Sequence, residues 1–188
     1  AVGYRGEKNF VRLYPAYRVR SQEGARQQDV RTLHLRHSYT LGARTRTFAF
    51  AQYQSDLALQ LDNRFLLGGG VRRRVLELTS GGIDVGLGVM WEREKVTGDP
   101  AEHDMRGANL LVINGRSGTV DLNFTGFYQP RLDNFRDVRL AGSGTAAVPL
   151  LSSVALTVSV RWLLDTDPPP TVQREDYGIT VGIRYAFN

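Results

Sequence analysis

The chain has 188 residues, enough for one domain with a sizeable core, and carries a net charge of +5. It contains no cysteine, which excludes a disulfide framework, thiolate metal sites and a Cys nucleophile. No run of residues approaches the ~20 apolar positions of a membrane helix, so helical membrane spans are excluded as well.

Period-two alternation runs along the whole chain and predicts ten strands, at 9–20, 29–41, 44–56, 63–76, 82–96, 104–114, 118–130, 135–148, 152–165 and 175–187. In the second, Leu33, Leu35, His37, Tyr39 and Leu41 alternate with Thr32, His34, Arg36, Ser38 and Thr40. In the fifth, Ile83, Val85, Leu87, Val89 and Trp91 alternate with Asp84, Gly86, Gly88, Met90 and Glu92. The segment from Met105 to Asn114 carries aliphatics on both faces, which leaves its orientation open. The seventh sets Val120, Leu122, Phe124, Gly126 and Tyr128 against Asp121, Asn123, Thr125, Phe127 and Gln129. The last two strands are the clearest: Val154 to Leu164 on even positions, then Tyr177, Ile179, Val181, Ile183, Tyr185 and Phe187 on odd ones. No helical stripe competes.

The connections alternate too. Those at Leu41–Ala43, Thr79–Gly82, Gly115–Gly118 and Val148–Leu151 are tight; those at Ser21–Gln28, Leu57–Asp62, Thr97–His103, Arg131–Asn134 and Thr166–Arg174 are mostly longer and more polar. Membrane barrels of the bacterial outer membrane place short turns in the periplasm and long loops outside. The expectation is therefore an all-β, antiparallel up-and-down barrel of about ten strands spanning 1–188 as one domain, with both termini periplasmic. Export needs a leader, and Ala1 is read as a mature N-terminus.

Alternation alone does not separate this from a soluble ligand-binding barrel, which turns its apolar face inward and a Lys/Glu face to water. Here the less apolar face is Gly, Ala, Ser, Thr, Asn and Arg, residues suited to a crowded interior. The apolar face carries aromatics near strand ends: Tyr39, Trp91, Tyr128, Trp162, Tyr177, Tyr185 and Phe187. That distribution matches the interfacial girdles of membrane barrels. Basic charge is almost all arginine, Lys8 and Lys95 being the only lysines. Arginine suits confined, hydrogen-bonded charges and forked contacts to phosphate, both present in a barrel interior beside lipopolysaccharide. Nucleic-acid domains usually mix Lys with Arg on a solvated face, so the expected partners are outer-membrane lipid, lipopolysaccharide and other envelope proteins, with no nucleic acid.

The final stretch, Gly178 to Phe187, resembles the C-terminal signal of outer-membrane barrels, although Asn188 follows the terminal aromatic. Leu164-Asp165-Thr166-Asp167-Pro168 followed by Arg174-Glu175-Asp176-Tyr177, together with Phe50 to Asp56 and Leu67-Gly68-Gly69-Gly70-Val71, is similar to the salt-induced outer-membrane protein family over residues 45–188. In that family the first of these positions is a tyrosine, and members often carry additional N-terminal strand sequence. The resemblance implies a barrel domain of unknown function and supplies no catalytic residues.

The charges expected to face the interior are Arg12, Arg18, Arg36, Arg72, Arg74, Asp84, Glu92, Asp121, Arg161, Asp176 and Arg184. They either pair across a narrow space, because buried charge needs a partner, or line an anion-preferring path. The histidines are dispersed: His34 is expected inward, His37 outward and His103 in a loop, so neither a zinc site nor a Ser-His pair forms. Asp165, Asp167, Glu175 and Asp176 lack calcium-loop spacing, and no metal or cofactor is expected. The eighth strand places Gly142, Gly144 and Ala146 on its outward face beside Gly126 of the seventh, a candidate patch for a partner or an acyl chain or a bend for closure. These readings point to a non-enzymatic structural or partner-binding component of the cell envelope. A narrow pore for small solutes or ions is the alternative, and an outer-membrane hydrolase the third.

Overall fold

The computed structural model describes residues 2–22, 25–168 and 172–185; Phe187 and the prolines at 169 and 170 lie outside them. The strands are Val2–Arg5 (β1), Asn9–Gln22 (β2), Ala25–Thr40 (β3), Thr45–Asp56 (β4), Leu61–Leu78 (β5) and Gly81–Val96 (β6). They continue with Glu102–Gly107 (β7), Asn109–Ser117 (β8), Val120–Pro130 (β9), Val138–Leu151 (β10), Val154–Asp165 (β11) and Glu175–Tyr185 (β12). All pair antiparallel in one up-and-down sheet, in chain order except that β7 and β8 both lie on β6.

Two differences from the expected ten strands have simple causes. β1 is a four-residue strand paired with Phe10–Leu13, too short to show a period. The expected sixth strand is divided at Ala108, whose N–H donates to Gly88 O at 2.8 Å, yet register against β6 is the same on both sides of the break. β10 runs from Val138 to Leu151, three residues later than expected, so its turn to β11 lies at 152–153. A register shift at Pro149–Leu151 accommodates the proline, which cannot donate to a ladder. The polar run at Ser21–Gln28 is largely strand, with a register shift at Arg20–Ser21. His103 sits in β7, stacked on Trp91, instead of in a loop.

Up-and-down order puts the tight turns after β3, β5, β8 and β10 at one end, here called the short-turn end. Turn carbonyls there accept from neighbouring strands: Arg116 N donates to Ser80 O, and Arg74 N to Arg44 O. The longer connections gather at the opposite end.

The sheet curls so strongly that residues from β3 to β12, β7 excepted, line one cavity. Glycines permit this on β5 and β6. A Cβ on Gly70 would lie 2.2 Å from Leu87 O, and one on Gly68 2.6 Å from the Phe50 ring. Side chains would hold these backbones apart, and the Phe48 and Phe50 rings fill the space the glycines leave. Between β1 and β12 there is no ladder among the described residues, so the sheet is open along that seam.

The two faces divide as the alternation requires. Leu67, Leu87, Ile179, Val181 and Ile183 stand outward and exposed, Leu87 at 66% and Ile183 at 74%. Met90, Glu92 and Arg106 point inward, each at most 2% exposed. The ambiguous segment resolves the same way, with Ala108 and Leu110 buried and Leu111 and Ile113 outward.

Candidate functional site: an interior of arginines and phenylalanines

The interior has three levels. Nearest the long connections lies a dense ion cluster. Arg106 makes a forked contact to Asp137, Nη1 to Oδ1 at 2.9 Å and Nη2 to Oδ2 at 2.7 Å. Its Nε lies 2.8 Å from Glu92 Oε2. Glu92 also contacts Arg64 and Arg139. Arg139 reaches further, from Nη2 to Glu94 at 3.0 Å and from Nε to Asp165 at 2.7 Å. Arg131 joins from the β9–β10 connection, 3.1 Å from Asp104. Four arginines (64, 106, 131, 139) thus meet five carboxylates (92, 94, 104, 137, 165). β6 and β10 are separated in the sheet by β8 and β9, so the Glu92–Arg139 contact crosses the interior.

The loop member of this cluster shows how the charges tune one another. Arg131 Nε donates to Asp133 Oδ1 at 2.7 Å, and that bond lowers the carboxyl below the usual range while raising the guanidinium.

The middle level is apolar. Leu66, Met90 and Ala108 pack together with Phe50 against them, and Phe48 and Leu110 are buried alongside. His34 stacks at 6.0 Å on Phe50, and its Nδ1 donates to Gln52 Oε1 at 2.9 Å.

Toward the short turns a second arginine group appears, with little acid to answer it. Asp84 accepts from Arg74 Nε at 2.7 Å and from Arg72. Arg12 donates to the Tyr14 hydroxyl at 2.9 Å and lies over the Phe10 ring, 4.5 Å from its centroid. Arg36, across the β2–β3 ladder from Arg12, makes no hydrogen bond or ion pair among the described residues.

Of the remaining expected interior charges, Arg161 meets Asp176 at 3.2 Å, both more than half exposed. Asp121 is taken by Arg116 at 2.7 Å beside the short turns, with Arg184 near it. Arg18 acts at longer range on Asp56. Arg64, Arg106, Asp137 and Arg139 are not among the expected residues, although Arg106 and Asp137 rank with Glu92 and Asp84 as the most buried charges among the described residues. Among the described residues no cluster of three or more His, Asp or Glu is arranged to hold a metal ion. Of the acidic group near the last connection, Asp165 goes to Arg139 and Asp176 to Arg161.

On the outer wall Gly126, Gly142 and Gly144 share a face as expected, but the chain's own rings lie over them. A Cβ at Gly126 would sit 3.1 Å from Phe124 Cε1, and one at Gly142 3.6 Å from Trp162 Cε3. Phe124 also passes within 3.8 Å of a Cβ on Gly144. Ala146 pairs with Leu122 and Val158 at the end of that row.

Fold and interior together define a class: an all-β, up-and-down antiparallel sheet curled around a charged and phenylalanine-lined interior, with most of its large apolar side chains outside. The chain belongs to the family described as protein of unknown function, DUF481, whose model matches residues 3–187. No curated protein and no solved structure matches it.

Proposed function

We propose that the chain is a non-enzymatic integral β-barrel of the bacterial outer membrane, a structural or partner-binding component of the envelope. The observation that carries this reading is an apolar outer face around an interior that holds buried charge. Outward positions of nearly every strand hold exposed Leu, Ile, Val and aromatic side chains, while the interior sets Asp84, Glu92, Arg106 and Asp137 beside Phe48, Leu66, Met90 and Leu110. A water-soluble protein rarely exposes contiguous apolar patches beyond a few hundred Å²; in lipid the same face is matched to its solvent. The outward aromatics support the reading by falling into two levels. Trp91, Tyr128, Trp162 and Tyr177 lie toward the long connections, and Tyr39 and Tyr185 toward the short turns.

The similarity of residues 45–188 to salt-induced outer-membrane proteins favours the same location, with the short turns periplasmic. The narrow interior favours a structural role over a pore, because Phe48, Phe50 and the Glu92 cluster take up much of it. The test is refolding from urea into phospholipid vesicles followed by flotation. The folded chain is expected to float with the lipid and to leave planar bilayers without porin-like conductance. A monodisperse folded protein in detergent-free buffer would overturn the reading.

A further inference from the structure

A cavity of about 370 Å³ lies inside the curled sheet, reaching from Arg36 and Phe48 to Leu59 and Arg174 at the long-connection rim. Its walls are mainly apolar, with Phe50, Leu66, Leu110, Phe127 and Leu163 among them. The volume is typical of small-molecule sites. At the ~30 Å³ that a water molecule takes, it would admit about a dozen non-hydrogen atoms.

The charges along this cavity are unequal. Arg64, Glu94, Arg139 and Asp165 belong to the ion cluster, and Asp176 is held by Arg161. Two of the cavity's cations lack an acidic partner among the described residues, Arg174 at the exposed rim and Arg36 in the interior; of the two, Arg36 is the one removed from water. Its neighbours sharpen the imbalance: Arg12 faces it across the ladder, Arg72 acts on it from β5, and Asp84 is already shared by Arg72 and Arg74. On its other side the ladder sets it against Phe50. A guanidinium without a counter-charge in a partly desolvated apolar space is costly, and an anion placed there would relieve that cost.

We infer that this cavity binds a single-chain amphiphile with an anionic head: the carboxylate accepts forked hydrogen bonds from Arg36, and the alkyl chain lies against Phe48, Phe50, Leu110 and Phe127. The cavity's size suits a medium-chain fatty carboxylate. The inference is independent of the solvent that wets the outer wall, so failure of the membrane reading leaves it standing.

Equilibrium dialysis of labelled decanoate tests it, with the protein in neutral-lipid nanodiscs and empty discs subtracted, or in buffer if the protein proves water-soluble. Saturable binding of one equivalent is expected, at least tenfold tighter than decanol and far tighter than acetate. Arg36→Gln should weaken decanoate at least tenfold and leave decanol unchanged, Arg36→Lys should retain part of the preference, and Ala141→Phe, which fills the cavity, should abolish binding of both. Folding of each variant is read from its gel mobility before heating. Decanoate uptake no greater than that of empty discs would overturn the inference. So would equal affinity for decanoate and decanol, acetate competing as well as decanoate, or a folded Ala141→Phe protein that still binds.

Discussion

The interior holds two arginine groups that differ in how they are answered. Around Glu92, four arginines meet five carboxylates, so every guanidinium there has an acid, and the forked Arg106–Asp137 contact fixes the geometry. Around Asp84, Arg72 and Arg74 share one carboxylate while Arg12 rests on Phe10 and Tyr14, and Arg36 has neither acid nor hydrogen bond among the described residues. Matched charges of this kind brace a wall from within. Unmatched ones mark the place where the protein has left room for something else. The boundary between the groups is the layer of Phe48, Phe50 and Met90, seated where glycines let β5 and β6 come close.

Substitutions across the two groups should separate them, read by urea unfolding of the folded protein. The largest effect is expected from Glu92→Gln, which leaves Arg64, Arg106 and Arg139 without their shared carboxylate; removing one partner of a buried ion pair costs about 3–5 kcal/mol. Asp84→Asn should cost less, about 1.5–3 kcal/mol, because its arginine partners are partly exposed and the bonds lost are charge-assisted hydrogen bonds. Arg36→Gln should leave the midpoint unchanged or raise it, since it relieves repulsion and breaks no bond. Loss of more than the Asp84 variant loses would show that Arg36 has a partner after all. The smallest effect is expected from Asp133→Asn at the exposed rim of the Glu92 cluster. Its folded pKa is lowered, so its contribution is present above the ordinary aspartate range near pH ~4 and fades as pH falls through the lower folded value. At neutral pH the midpoint should barely move, because exposed pairs contribute little; a shift as large as that of Asp84→Asn would place the rim inside the buried network.

Strand positions and faces were legible in the sequence because period two survives wherever one face is sorted from the other. Leu87, Val89 and Trp91 against Asp84, Met90 and Glu92 gave both the strand and its orientation. The ion cluster was hidden for two reasons. Arg64 and Asp137 lie beside irregular backbone, a register shift at Leu61–Asn63 and the β9–β10 connection, where alternation carries no phase. Arg139 keeps the phase of Ala141 and Ala147 on β10, a signal that was there to be read, but its meeting with Glu92 depends on curvature and not on spacing. The outward glycines were found by parity alone. That Phe124 and Trp162 would lie over them needed the cross-strand register of Gly126, Gly142 and Trp162, which no single strand contains.

On the proposed function the apolar face is solvated by lipid while the charges are enclosed. Trp91 and Trp162, the chain's two tryptophans, both stand on the outer wall toward the long connections and report on it directly. In vesicles of brominated phospholipid strong quenching of their fluorescence is expected, greater with bromines near the headgroup end of the acyl chain than near the bilayer centre. Fluorescence of the folded protein unaffected by bromolipid, yet quenched by aqueous acrylamide, would contradict it.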